Sequence, residues 1–110
     1  MDNPSNITKH GAWRLAVLER VDSTNSWLVQ QYDAGKATAG DAVRAIEQSA
    51  GKGRQGKQWL SSENALYLSL LVRDEEAFGT RWALVIGLAV REAIINAMPT
   101  LDGQLRLKWP

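Results

Sequence analysis

Residues 51–73 read GKGRQGKQWLSSENALYLSLLVR, and the residues behind the glycines decide the fold. Gly51-x-Gly53-x-x-Gly56 fits a dinucleotide-binding fingerprint, and Gly51-x-x-x-x-Gly56-Lys57 fits a phosphate-binding loop up to its last position. Both patterns need a helix directly behind the glycines, because its N-terminal amides and dipole hold the phosphates. Here Gln58 to Asn64 carry no helical apolar period. Ala65 to Arg73 then alternates, with Leu66, Leu68, Leu70 and Val72 on one face, as a strand does. Gln58 also stands where the phosphate loop has a Ser or Thr for magnesium. Asp74 lies roughly 20 residues on, where a ribose-binding acid would sit, but no helix intervenes. A glycine loop leading into a strand excludes the doubly wound nucleotide folds.

The same reading extends in both directions. Trp13 to Val21 (WRLAVLERV) has apolar groups on both faces and predicts a buried strand. Ser23 is an N-cap for a short helix over Thr24 to Tyr32. Asp33 to Asp41 is a turn region, Ala42 to Gln48 a second strand, and Ser49 to Asn64 a long polar loop. Phe78 to Met98 predicts the longest helix. Trp82, Val85, Ile86, Ala89, Val90, Ala93, Ile94 and Ala97 recur at spacings of three and four. Leu84, Leu88 and Ile95 widen that stripe, which predicts a helix deep in the core, ended by Pro99. Gln104 to Trp109 alternates once more and predicts a last strand. The order strand, helix, strand, loop, strand, helix, strand is an α+β (mixed α/β) arrangement, with helices packed on a mixed sheet. Residues 1–12 read as a disordered lead-in and residues 13–110 as the domain.

Composition removes several function classes. The 110 residues hold 13 basic and 12 acidic side chains, for a net charge of +1. That balance argues against holding nucleic acid by bulk charge. There is no cysteine and a single histidine, His10. A disulfide framework, a thiolate or histidine metal site and a Ser-His-Asp triad are therefore not expected. The polar N-terminus lacks the apolar run of a signal peptide, and Trp82 to Val90 is too short to span a bilayer. No membrane partner and a cytoplasmic protein are expected.

Local charge is different. Lys52, Arg54 and Lys57 fall between Gln48 and Ser62 with no Asp or Glu among them. A solvated turn is one reading of such a loop. A nucleic-acid-binding module using Lys52, Arg54, Lys57 and Trp59 is another. The third is a cationic cover for a phosphate or adenylate, with glycines that let the backbone approach the ligand closely.

Four segments favour the third. They are Asp22-Ser23-Thr24-Asn25; Glu47-Gln48-Ser49-Ala50 running into Gly51 to Trp59; Ala65-Leu66-Tyr67-Leu68-Ser69-Leu70; and Leu107-Lys108-Trp109-Pro110. In this order and spacing they resemble the biotin protein ligase family. Its pattern is an STN turn, a Q-x-x-G-[RK]-G-R-x-G-[RK]-x-W loop, an L-x-x-S strand and a KWPND turn.

The resemblance implies a catalytic domain of the class II aminoacyl-tRNA synthetase-like type. It implies ATP and biotin as substrates with Mg2+, biotinyl-5′-AMP as intermediate, and transfer to a lysine of a biotin carboxyl carrier domain. By carry-over, Ser23, Thr24, Asn25, Gln48, Lys52, Gly53 and Arg54 would bind biotin. Gly51, Gly56, Lys57 and Trp59 would complete the adenylate loop, and Arg54 and Lys108 would act at the reacting phosphate. Ser23 also reads as a plain cap, Trp59 as a packing anchor, and Lys108 as an outward strand residue.

The chain departs from the pattern in two places. Lys52 stands where many members carry Arg, which loses the planar fork. The Asn-Asp after Lys-Trp-Pro and the later family segments are missing. An incomplete domain, weak or inactive alone, is the expectation. The dozen residues before the first strand leave no room for a winged helix, so no DNA-binding domain is expected, while a homodimer is left open. A lipoate ligase, similar in fold, is the near alternative, but expects a glycine signature without this basic pattern.

Overall fold

A computed structural model describes residues 6–50, 65–75 and 77–107. The chain divides into two compact units, residues 1–73 and 74–110.

The first unit is built on a four-stranded mixed sheet of order β1-β2-β3-β4. Strand β1 (Asn6–His10) pairs antiparallel with β2 (Trp13–Val21), joined by a turn with Gly11 in the left-handed region at φ 62°. Helix α1 (Thr24–Asp33) carries the chain over to β3 (Asp41–Gln48), which lies parallel to β2. This is the crossover that parallel neighbours require. Strand β4 (Tyr67–Leu70) returns antiparallel to β3.

Register fixes which side chains meet α1. Ala16 lies opposite Val43, which lies opposite Ser69; Leu18 lies opposite Ala45, which lies opposite Tyr67. Side chains alternate along a strand, so these six share one face. Together with Val21, Trp27 and Leu28, all but Ser69 form the buried cluster. Leu18 and Val43 are sealed completely; each such side chain contributes about 1.5–3 kcal/mol by leaving water.

Asp41 ties the start of β3 to β2. Its Oδ1 accepts from Arg14 Nε at 2.9 Å, and its Oδ2 accepts from Arg14 NH2 at 3.2 Å and from the Thr38 amide at 2.9 Å. The two-pronged geometry is the one a guanidinium and a carboxylate prefer.

In the second unit, a single 3-10 turn at Gly79–Arg81 leads into α2 (Trp82–Ala97). Asp74 organises that entry: Oδ1 accepts from the Phe78 amide at 3.0 Å and from Trp82 Nε1 at 2.8 Å. Pro99 opens another 3-10 turn (Pro99–Leu101) just past the helix. The segment after it folds back on α2. Arg91 Nε donates to the Leu105 carbonyl at 3.0 Å. A Cβ at Gly87 would come within 2.6 Å of Leu107 Cδ1, so a larger residue there would make the Leu107 side chain shift.

The mixed α+β class stands as expected, and three local expectations are corrected. Residues 6–10 are a strand and not a loose lead-in, because β2 offers a free edge that the backbone of Asn6–His10 satisfies. Leu105 to Leu107 form no strand; what meets them is α2, through Arg91 and Gly87. Residues 108 and 109 lie outside the described residues. Helix α2 buries none of its residues, where its apolar stripe predicts a helix deep in the core. On the shared face of residues 65–73, Leu66, Leu68, Leu70 and Val72 are 68%, 43%, 39% and 38% exposed. The β3–β4 register turns Tyr67 and Ser69, not the leucines, toward α1.

Candidate functional site

The site grows from the junction of β2 and α1. Ser23 has extended backbone (φ −154°, ψ 128°), and its Oγ accepts from the Ser26 amide at 3.2 Å. The cap role is therefore real. It sets Thr24 at the first helical position, where the amide has no partner within the helix. That amide turns instead to β3 and donates to Gln48 Oε1 at 2.9 Å.

Thr24 and Gln48 meet a second time. Thr24 Oγ1 donates to Gln48 Oε1 at 3.3 Å and lies 2.8 Å from Ser69 Oγ on β4. Ser23, Thr24 and Gln48 are each more than nine-tenths buried. The end of β3, a hydroxyl of β4 and the start of α1 thus meet in one polar cluster in an otherwise apolar layer. Unpaired, each of these groups would cost about 1–3 kcal/mol. Among the described residues, no buried side-chain nitrogen or oxygen lacks a partner.

The chain leaving Gln48 is pinned beside this cluster. The Ser49 amide donates to the Val21 carbonyl at 3.0 Å and the Ala50 amide to the Asp22 carbonyl at 2.6 Å, while Ser49 Oγ donates to Asp22 Oδ1 at 3.3 Å. The basic segment therefore departs from next to the Ser23 cap. Its expected contributors Gly51, Lys52, Gly53, Arg54, Gly56, Lys57 and Trp59, and likewise Lys108, lie outside the described residues.

Asn25 is placed apart from the other three. It is exposed and lines a shallow cavity of about 110 Å3 with Leu28, Val29, Tyr32, Leu70 and Leu71. Two contributors are not evident as site residues in the sequence. Ser69 enters there only as the serine of the L-x-x-S strand in the family pattern, with no site role given to it. The Asp22–Ser49 bond joins residues 27 positions apart and leaves no sequence signal. Among the described residues, no group of three or more His, Asp or Glu could hold a metal ion.

The family model for the biotin/lipoate A/B protein ligases matches residues 17–110. The chain belongs to that family. It is 38% identical over 99 residues to the bifunctional ligase/repressor BirA of Escherichia coli, covering 87% of this chain and 29% of that protein. It is 32% identical over 103 residues to the biotin--[acetyl-CoA-carboxylase] ligase of Mycobacterium tuberculosis, covering 89% of this chain and 39% of that protein. The chain thus spans roughly a third of the length of these relatives.

Among solved structures, it is similar to the Aquifex aeolicus biotin protein ligase in complex with biotin and ATP. The TM-score is 0.68 at 36% identity, over 77% of this chain and 35% of that one. The Leishmania major biotin protein ligase with biotinyl-5-AMP gives a TM-score of 0.64 at 32% identity, over 76% and 35%. The sheet and crossover helix described above are therefore part of the architecture of a biotin/lipoate ligase.

Proposed function

We propose that this chain supplies the biotin side of an ATP-dependent biotin protein ligase. The observation that carries the reading is the buried Ser23–Thr24–Gln48 cluster at the root of the basic loop. Biotin's ureido ring is neutral and polar, and hydroxyl and carboxamide groups offer it matched donors and acceptors. The family's solved relatives bind biotin with ATP, or biotinyl-5-AMP. Ser23, Thr24, Asn25 and Gln48 are the proposed biotin contacts, together with Lys52, Gly53 and Arg54 of the loop.

The chemistry asks for charge more than for a nucleophilic side chain. A biotin carboxylate oxygen bonds to the α-phosphorus of ATP, and pyrophosphate departs with the electron pair of the broken P–O bond. Two anions must approach each other. Lys52, Arg54 and Lys57, with Lys108, would offset that repulsion, and Gly51 and Gly56 would let backbone amides close on the adenylate. Trp59 would anchor the loop by packing. The neutral amine of a carrier-protein lysine then attacks the mixed anhydride. AMP leaves, an amide forms, and a proton is released.

The described residues offer no carboxylate or histidine cluster for a resident metal, so Mg2+ belongs to this proposal only as the companion of ATP's phosphates. The acceptor is a biotin carboxyl carrier domain of a carboxylase, and the setting is the cytoplasm.

Biotin-dependent exchange of labelled pyrophosphate into ATP, measured on the full-length protein, tests the first step. Exchange that appears only with biotin present supports the reading. Exchange driven by lipoate instead of biotin moves the chain to the lipoate branch of the family. No exchange with either acid overturns it.

A further inference from the structure

Thr24 opens α1, and nothing within the helix sets its side chain. A threonine deeper in a helix can turn its hydroxyl to a carbonyl one turn back. The residues one turn before Thr24 belong to β2 instead. Its Oγ1 is placed from across the sheet, with Ser69 Oγ on β4 at 2.8 Å and Gln48 Oε1 on β3 at 3.3 Å. Hydroxyl hydrogen bonds are commonest near about 2.7–2.8 Å and weaken beyond about 3.0 Å. The contact to Ser69 is therefore the stronger of the two, whichever hydroxyl donates.

Ser69 stands out in its row of the sheet. It lies opposite Val43, which lies opposite Ala16, and an apolar side chain there would need no partner. Its hydroxyl reaches a buried residue 45 positions away in the chain. Threonine carries a hydroxyl, a methyl group and a hydrogen on one carbon, so rotation about χ1 exchanges which of them faces β4. We infer that Ser69 is a positioning residue of the biotin site: its hydrogen bond with Thr24 locks the Thr24 rotamer and so fixes where the site offers a hydroxyl and where a methyl group. The inference rests on the biotin reading for its ligand, because Thr24 is a proposed biotin contact. A contact set before the ligand arrives spares the ordering cost of binding. Without the Ser69 hydroxyl, Thr24 regains rotamers that biotin must remove again.

A double-mutant cycle on the full-length protein tests this, with the biotin dissociation constant as readout. Ser69→Ala should weaken biotin binding by roughly 3- to 10-fold, the equivalent of one neutral hydrogen bond. Ser69→Thr, which keeps the hydroxyl, should return it to within about twofold. In a Thr24→Val background, Ser69→Ala should cost less than about twofold more, since a residue that acts through Thr24 has nothing left to position. The double variant replaces both hydroxyls by apolar groups, a change close to neutral for folding. Ser69→Cys, similar in size with only a weak donor, gives the same comparison if Ser69→Ala does not fold. Biotin binding that is unchanged in Ser69→Ala, or lost equally in both backgrounds, overturns the positioning role alone. Failure of the unaltered protein to bind biotin overturns the biotin reading, and the positioning role with it.

Discussion

The start and the middle of one short helix show two ways of burying residues. In the middle of α1, Trp27 and Leu28 are buried among Leu18, Val43, Ala45 and Tyr67. At its start, Ser23 and Thr24 are buried to a similar degree, with Gln48 beside them. The apolar part is held by loss of water from carbon, which has no direction. The polar part is held by bonds that each need a named partner at a fixed distance. The first kind of burial tolerates changes of shape; the second specifies orientation. A fold that needed only stability would have little use for a polar cluster inside its apolar layer. On that contrast the biotin site is proposed at the start of α1 and not at its middle.

Substitutions can break or sharpen this contrast. The largest effect on stability belongs to the apolar part. Leu18→Ala empties a fully sealed position and should cost about 3–5 kcal/mol, read from urea unfolding. Whatever fraction stays folded should keep its affinity for biotin. Next comes Gln48→Ala, which leaves the Thr24 amide and hydroxyl without their acceptor. A loss of about 1–3 kcal/mol is expected. Unlike Leu18→Ala, it should also weaken biotin binding by tenfold or more, roughly one hydrogen bond's worth or above. Equal loss of binding from both variants would erase the contrast. The smallest is Ser23→Ala, which removes the cap on the Ser26 amide. It should lower stability by about 1 kcal/mol, a shift visible in thermal melting, while Ser23→Asn should recover most of it.

The contrast also explains what the sequence can reveal. Strands β2 and β3 and helix α1 are legible because apolar period, cap and turn residues agree with one another. The cluster is legible in its members, since Ser23, Thr24 and Gln48 stand out one by one, but their meeting is not. What no local pattern holds is pairing. Strand β1 is hidden because Asn6–His10 has no apolar face of its own and exists through its bonds to β2. Gln104 to Trp109 alternates as a strand would, yet alternation without a partner strand does not make one. For β4 the period is legible, but not which face turns toward α1. The register with β3 sets the face, and it places Tyr67 and Ser69 toward α1 while Leu68 lies on the other face. Ser69 is therefore inconspicuous in the sequence, although it closes the hydrogen-bond chain to Gln48.

Calorimetric titration of the full-length protein with biotin and, separately, with lipoate tests the central claim most directly, because the buried cluster is matched to a polar ureido ring that lipoate lacks. The account predicts saturable heat with biotin, little or none with lipoate, and a biotin affinity that drops at least tenfold in Gln48→Ala, about 1.4 kcal/mol. Lipoate binding as tight as biotin, or biotin binding untouched by Gln48→Ala, would contradict it.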